Sequence, residues 1–333
     1  MEKNSQVSRN VNAAFWPFVL AVVLTVLYKL GDGYVVGHLI HSQDKLISTL
    51  VYLTIGATTG LVINFLMCKI PVLGKTIDPG FRGTVGGMSS KAHFKAMVSG
   101  VFSAIATGIY LWSFRTLDPS IVVPLTSLSV LYIAVFEAFR GKIKFGSVLP
   151  SIGLVFAGVA IASFNETVNW TVTGETLLIV LLVYNLMNAA SELASKSGVD
   201  ASDAISYGFW RFFWLTASAI AIAFGTSLAL GVFSQFVQLL FSSLSAIPFI
   251  SLVMVVVFFA NGWANRGLAL SNATTKNLAM MSQVIFSVFA TAVVAVLWPS
   301  VFPAAPVTVM QWVLRLVGAI LLMSGVFRLV RRN

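Results

Sequence analysis

Apolar runs of about 20 residues, parted by short polar segments, follow one another along the whole chain. Five fall near Val11 to Leu30, Leu46 to Met67, Phe94 to Phe114, Ile121 to Phe139 and Phe145 to Phe164. Five more fall near Gly174 to Leu193, Tyr207 to Val232, Ile247 to Trp263, Asn272 to Trp298 and Val309 to Val330. A helix of that length spans the hydrocarbon core of a bilayer and satisfies its own backbone hydrogen bonds there. The pattern predicts an all-α membrane protein of about ten transmembrane helices. Phe233 to Ala246 is apolar but broken by Ser and Gln, and is expected to be an interfacial connector. The first run follows Lys3 and Arg9 as a secretory signal would. It lacks a small-x-small cleavage site and ends in Tyr28, Lys29 and Leu30, so it is expected to be the first span.

Composition agrees. The 333 residues are 58% hydrophobic and 10% charged, against about 25% charged in soluble domains. Lipid is the solvent for most of such a chain, and little is left for an extramembrane domain. A formal charge of +10 would suggest nucleic acid in a soluble protein. Here the basic residues fall in short loops, where they set orientation, so membrane lipids are expected as partners and nucleic acid is not. With ten spans and a cytoplasmic N-terminus, every lysine and arginine except Lys29, Lys45, Arg115 and Arg315 falls in a cytoplasmic segment. Both termini are therefore expected in the cytoplasm, with a bacterial inner membrane as the location. The sequons at Asn165 and Asn169, in an outside loop, would matter only in a eukaryotic host. Cys68 is the single cysteine, which excludes an internal disulfide and a cysteine metal cluster. No cofactor and no metal is expected.

The two sets of five runs read as copies of one unit. Trp112, Arg115 and Leu117 recur at the same spacing as Trp263, Arg266 and Leu268, and Ala157-Gly158-Val159 is similar to Ser324-Gly325-Val326. An odd number of spans in each copy turns the second upside down, so residues 1–170 and 171–333 are expected to form two inverted five-helix repeats, the design of many secondary transporters.

The stretch from Leu117 to Phe164 reads L-D-P-S-I-V-V-P-L-T-S-L-S-V, then F-E-A-F-R-G-K, then G-L-V-F-A-G-V-A-I. It resembles the drug/metabolite transporter superfamily, in particular its EamA-like repeat, with Glu137 matching the family's glutamate at the cytoplasmic end of the fourth span. The second half is similar more loosely and has no glutamate at the corresponding place. The resemblance implies a ten-helix bundle with a central cavity between its halves, moving metabolites, amino acids, phosphorylated compounds or drugs. In phosphate-translocating relatives, basic residues of the ninth span hold the substrate.

Polar side chains within spans are costly unless they face the bundle interior or water. Asn185, Asn188 and Glu192 fall at i, i+3 and i+7 on one helical face, a candidate wall of a substrate cavity. Asn261 and Asn265 share a face near Trp263, which offers a ring to a cation, and Tyr110 is the repeat-equivalent of Asn261. Lys276 and Asn277, with Thr274 and Thr275, open the ninth span as a basic helix N-terminus suited to an anion. Glu137 and Arg266 are candidates for gating or coupling. The bland alternatives are interhelical amides, an interface-belt Trp263, a Lys276 that snorkels to the surface, and a Glu137 paired with Arg140 and Lys142.

The function expected is secondary transport of a small organic metabolite or drug-like solute by alternating access, with export as one direction. A second reading is transport or flipping of an anionic, phosphorylated or lipid-linked substrate. A membrane-embedded enzyme is the rival class. The three histidines lie in loops or at span edges, and no nucleophile–base constellation falls at intramembrane depth, so the chain is not expected to be an enzyme. No selectivity-filter repeat argues for a channel. No phosphate-binding loop makes ATP the direct driver. A homodimer is compatible with this reading.

Overall fold

The computed structural model describes residues 2–40, 42, 44–86, 88–113, 122, 125–126, 128–139, 145–162, 170–271, 273–281, 283–297 and 308–331. Among them the regular structure is helical. In chain order the helices are α1 (Glu2–Tyr34), α2 (Lys45–Cys68), α3 (Pro71–Ile77), α4 (Ser90–Ser113), α5 (Ser129–Phe139), α6 (Phe145–Ala162) and α7 (Trp170–Leu178). They continue as α8 (Asn185–Val199), α9 (Ala204–Ala229), α10 (Phe233–Ser242), α11 (Ile247–Leu270), α12 (Ala273–Met281), α13 (Gln283–Leu297) and α14 (Val309–Arg331). Two short π-helical stretches interrupt this order. Val35–Leu39 extends α1, and Ile179–Tyr184 joins α7 to α8.

Six helices are long and apolar enough to cross a membrane: Ala13–Leu39, Lys45–Cys68, Ser90–Ser113, Gly174–Val199, Ala204–Ala229 and Phe233–Leu270. The chain is thus an all-α membrane protein. The fourth, fifth and ninth expected runs hold the shorter α5, α6 and the pair α12 and α13, and the tenth holds α14, whose apolar part is Val309–Gly325. The expected connector is instead helical. α10 passes through a 3₁₀ turn, Ser243–Ala246, directly into α11. Its Ser and Gln positions interrupt apolarity without breaking the helix, and Phe236, fully buried, packs edge-on against Phe224 at 5.3 Å.

Local chemistry sets the helix ends. Asp44 accepts from the backbone N–H of Leu46 at 2.8 Å and so caps α2; Asp203 does the same for α9 through Ser206 N at 2.7 Å. α9 stops at Gly231, whose φ of 68° is in the left-handed region. There the Val232 N–H reaches Ser227 O at 3.0 Å and the Gly231 N–H reaches Leu228 O at 3.1 Å, a Schellman ending that needs glycine.

In lipid, helices are held by close packing rather than by water exclusion, and small residues set how close they come. α4 lies against α8 and α9; α11 lies against α1 and α2; α2 meets α9, α5 meets α12, and α6 pairs with α14. At the α4–α9 crossing a Cβ added to Gly100 would stand 2.6 Å from Arg211 O, and at the α6–α14 crossing one added to Gly158 would stand 2.6 Å from Gly318 O. Both glycines are where two backbones touch. α1 runs antiparallel to α11: Gly31 faces Val253 and Phe18 faces Gly267.

One end of the bundle is tied by Asp78, which follows α3 and is buried. Its carboxylate accepts from Arg266 Nη1 at 3.0 Å and from the Ala204 N–H at 2.8 Å, joining the loop after α2 to the end of α11 and the start of α9. Beneath it Cys68, Ile77, Phe81, Ile205 and Phe258 form an apolar cluster.

Candidate functional site: a polar cavity between the helices

A cavity of about 230 Å³ opens between α1, α2, α4, α5, α8, α9, α11, α12 and α13. Its wall is half polar, which in a chain of this composition is the exception. Two groups of ionisable side chains stand in it at different depths.

The first lies toward the Asp78 end. Glu192 on α8 and Lys276 on α12 form an ion pair at 2.6 Å, with side chains only 11% and 8% exposed. Arg211 on α9 stands beside them, held by hydroxyls: its Nε donates to Ser99 Oγ at 2.8 Å and its Nη2 to Ser103 Oγ, both on α4. Ser191 Oγ, on α8, lies 3.4 Å from Nη2 and donates to Ser99 O at 3.0 Å, and Tyr207 donates to Ser195 Oγ at 3.2 Å. This serine ladder joins α4, α8 and α9 and fixes the guanidinium plane.

The second group belongs to α1, one helical turn short of its end. Asp32, 7% exposed, accepts a hydrogen bond from the Tyr52 hydroxyl on α2. Lys29 stands with its Nζ 5.4 Å from the centre of the Tyr110 ring on α4, a cation–π contact. Tyr28, Tyr52, Tyr110 and Tyr184 together give this part of the cavity aromatic walls tipped with hydroxyls.

Of the residues singled out in the sequence, Tyr110, Asn188, Glu192, Asn261, Lys276 and Asn277 line the cavity. Asn188 donates to Ser129 Oγ at 3.0 Å, and Asn277 to Ala273 O of its own helix at 2.8 Å. Lys276 is buried against Glu192 rather than drawn out to the surface. Asn185, Trp263, Asn265 and Arg266 lie elsewhere. Asn185, fully buried, donates to Leu125 O at 3.0 Å and to Val180 O at 2.8 Å, taking up a carbonyl of the π-helical stretch. Tyr132 takes the next one, donating to Leu181 O at 2.6 Å. Trp263 packs on the cluster around Cys68, Asn265 approaches Ala204 O at 3.5 Å, and Arg266 pairs with Asp78. Glu137 falls within α5, but its side chain, like Arg115, Arg140, Lys142, Asn165 and Asn169, lies outside the described residues.

No family model matches the chain, and no curated protein matches it. Among the described residues no group of three or more His, Cys, Asp or Glu side chains is placed to hold a metal ion. The groups present can bind a small polar solute by charge, hydroxyl and ring contacts.

Sequence reasoning passed over Tyr28, Lys29, Asp32, Tyr52 and Arg211. One signal was there. Leu27-Tyr28-Lys29-Leu30-Gly31-Asp32 runs parallel to Val183-Tyr184-Asn185-Leu186-Met187-Asn188, and in both segments the tyrosine and the acid or amide four residues on line the cavity.

Proposed function

We propose that the chain is a secondary transporter that moves a small organic solute through this cavity by alternating access between two inverted five-helix repeats, residues 1–170 and 171–333. The observation that carries the reading is the register of the cavity wall. Tyr52, Leu53 and Gly56 on α2 have counterparts at identical spacing in Arg211, Phe212 and Leu215 on α9. Ser103, Ala106 and Tyr110 on α4 correspond in the same way to Met254, Val257 and Asn261 on α11, and Thr126 and Ser129 to Asn277 and Met280. With Tyr28 and Asp32 against Tyr184 and Asn188, each of the first four spans supplies the same face as its counterpart.

The helix contacts support the same symmetry. α4 lies between α8 and α9 as α11 lies between α1 and α2, and α2–α9, α5–α12 and α6–α14 are pairs between the halves. A central site shared equally by two halves of opposite orientation suits a rocking mechanism. We include in the proposal the likeness to the drug/metabolite transporter superfamily, cytoplasmic termini, a bacterial inner membrane and transport rather than enzymatic turnover. The cavity volume is below the range usual for drug-sized ligands and favours a metabolite.

The test is reconstitution into liposomes loaded with a defined mixture of amino acids, amines, sugars, organic anions and phosphorylated metabolites, with loss of each followed by mass spectrometry. The reading expects one chemical group of solutes to leave saturably, and to leave much more slowly with Asn188→Ala. Unsaturable efflux of many solutes would instead describe a pore, and retention of all of them would remove the transporter reading.

A further inference from the structure

Five acidic or basic side chains line the cavity among the described residues: Lys29, Asp32, Glu192, Arg211 and Lys276. Three cations against two carboxylates leave one positive charge in surplus. Hydrogen bonding and ring contacts separate the three cations. Lys276 spends its charge on Glu192 at 2.6 Å. Lys29, one helical turn from Asp32 but not in ion-pair contact with it, is engaged by the Tyr110 ring. Arg211 has only neutral partners, the hydroxyls of Ser99, Ser103 and Ser191, and no carboxylate within ion-pair distance among the described residues. Its Nη1 has no hydrogen-bond acceptor among them either.

A guanidinium in an apolar helix with no ion-pair partner of its own is expensive, because serine hydroxyls do not neutralise it and the nearby Glu192 carboxylate is already paired with Lys276. The serine ladder nevertheless fixes it rigidly at the cavity wall, with one donor edge unused. Guanidinium groups held in that way match the paired oxygens of carboxylates, sulfonates and phosphates.

We propose that the solute of this cavity is a small organic anion whose charged oxygens seat on Arg211, with its body against Tyr28, Tyr110 and Phe212. The proposal deepens the transporter reading and rests on it for the step of movement, but binding is a separate claim with a separate readout. The solute supplies the counter-ion the protein omits, so the loaded cavity is neutral and the empty one is not. A neutral isostere would leave the guanidinium uncompensated. It is therefore rejected even where its shape fits.

The experiment uses the full purified chain in detergent and matched pairs that differ mainly in charge: lactate and lactamide, benzoate and benzamide, methanesulfonate and dimethyl sulfone, with inorganic phosphate alongside. Binding is read as a dose-dependent rise in Tm and confirmed by equilibrium dialysis. At least one anion is expected to bind while its neutral partner binds about ten- to a hundred-fold more weakly. Arg211→Gln is expected to weaken the anion by a similar factor and Arg211→Lys by less, while Lys45→Gln at the exposed start of α2 changes nothing. Anion binding equal in wild type and Arg211→Gln, neutral partners binding as well as anions, or no anion binding to wild type would each overturn the proposal. If Arg211→Gln does not fold, the matched pairs in the wild type decide alone. Liposome flux then separates the two claims. An anion that binds but does not cross counts against transport and leaves the anion site standing. Flux of neutral or cationic solutes without anion binding counts against the anion and leaves transport standing.

Discussion

The cavity holds two buried carboxylates, and they are kept in opposite ways. Glu192 is locked to Lys276 across α8 and α12 at 2.6 Å. Asp32 has the hydroxyl of Tyr52 and no cation within ion-pair distance among the described residues. A locked pair is expensive to separate, because either partner alone is a bare charge out of water. A carboxylate held by one phenol can change partner at little cost. The Glu192 group is therefore the rigid floor of the cavity, and the Asp32 group is the part free to respond to a solute.

That contrast can be broken most severely at Lys276. Lys276→Ala leaves Glu192 buried without its cation, and a loss of about 3–5 kcal/mol in unfolding free energy is expected. Denaturant titration in detergent measures it, and the double change Glu192→Gln with Lys276→Met is expected to recover most of the loss. Tyr52→Phe removes the phenol donor to Asp32 and is expected to cost about 1.5–3 kcal/mol. A loss as large as that at Lys276 would erase the distinction between the two groups. Arg266→Ala offers a half-exposed control. Its partner Asp78 keeps the Ala204 and Gly80 N–H groups, so the cost is expected at about 1 kcal/mol. Maleimide labelling of Cys68, which is buried beneath Asp78, should become faster in that variant while the cavity's ligand affinity stays as it was. The smallest effect is expected for Asp32→Asn, under about 1 kcal/mol, since the amide oxygen still accepts from Tyr52. Its signature is a changed solute preference at nearly constant Tm.

The same contrast separates what was legible in the sequence from what was not. Glu192 stood out because three polar residues at helical spacing interrupt an apolar run, and helical periodicity carries that information directly. Asp32 lies just beyond the end of the first apolar run at Leu30, so burial by α2 and α11 cannot be read from its own segment. Arg211 was counted with the loop charges for a similar reason, since it is only two turns into α9 and only α4 and α8 reveal that its neighbours are serines. Asn185 shows the converse: it shares a helix face with Asn188 in a regular α-helix, yet it is spent on backbone carbonyls freed by the preceding stretch. The all-α membrane architecture followed from hydropathy alone, because backbone hydrogen bonding in lipid permits little else. Which side of a helix faces a cavity depends on partners far away in sequence.

The π-helical stretch Ile179–Tyr184 sets which way this wall faces. A π-turn holds one residue more than the α-turn it replaces, and everything beyond it is rotated by about 100°. Tyr184, Asn188 and Glu192 all lie at or beyond that point. Deleting one residue from the stretch would return an unbroken α-helix of nearly the same composition and hydropathy, with its polar stripe turned toward a different neighbour. The chain would still insert, and the cavity would have lost a wall.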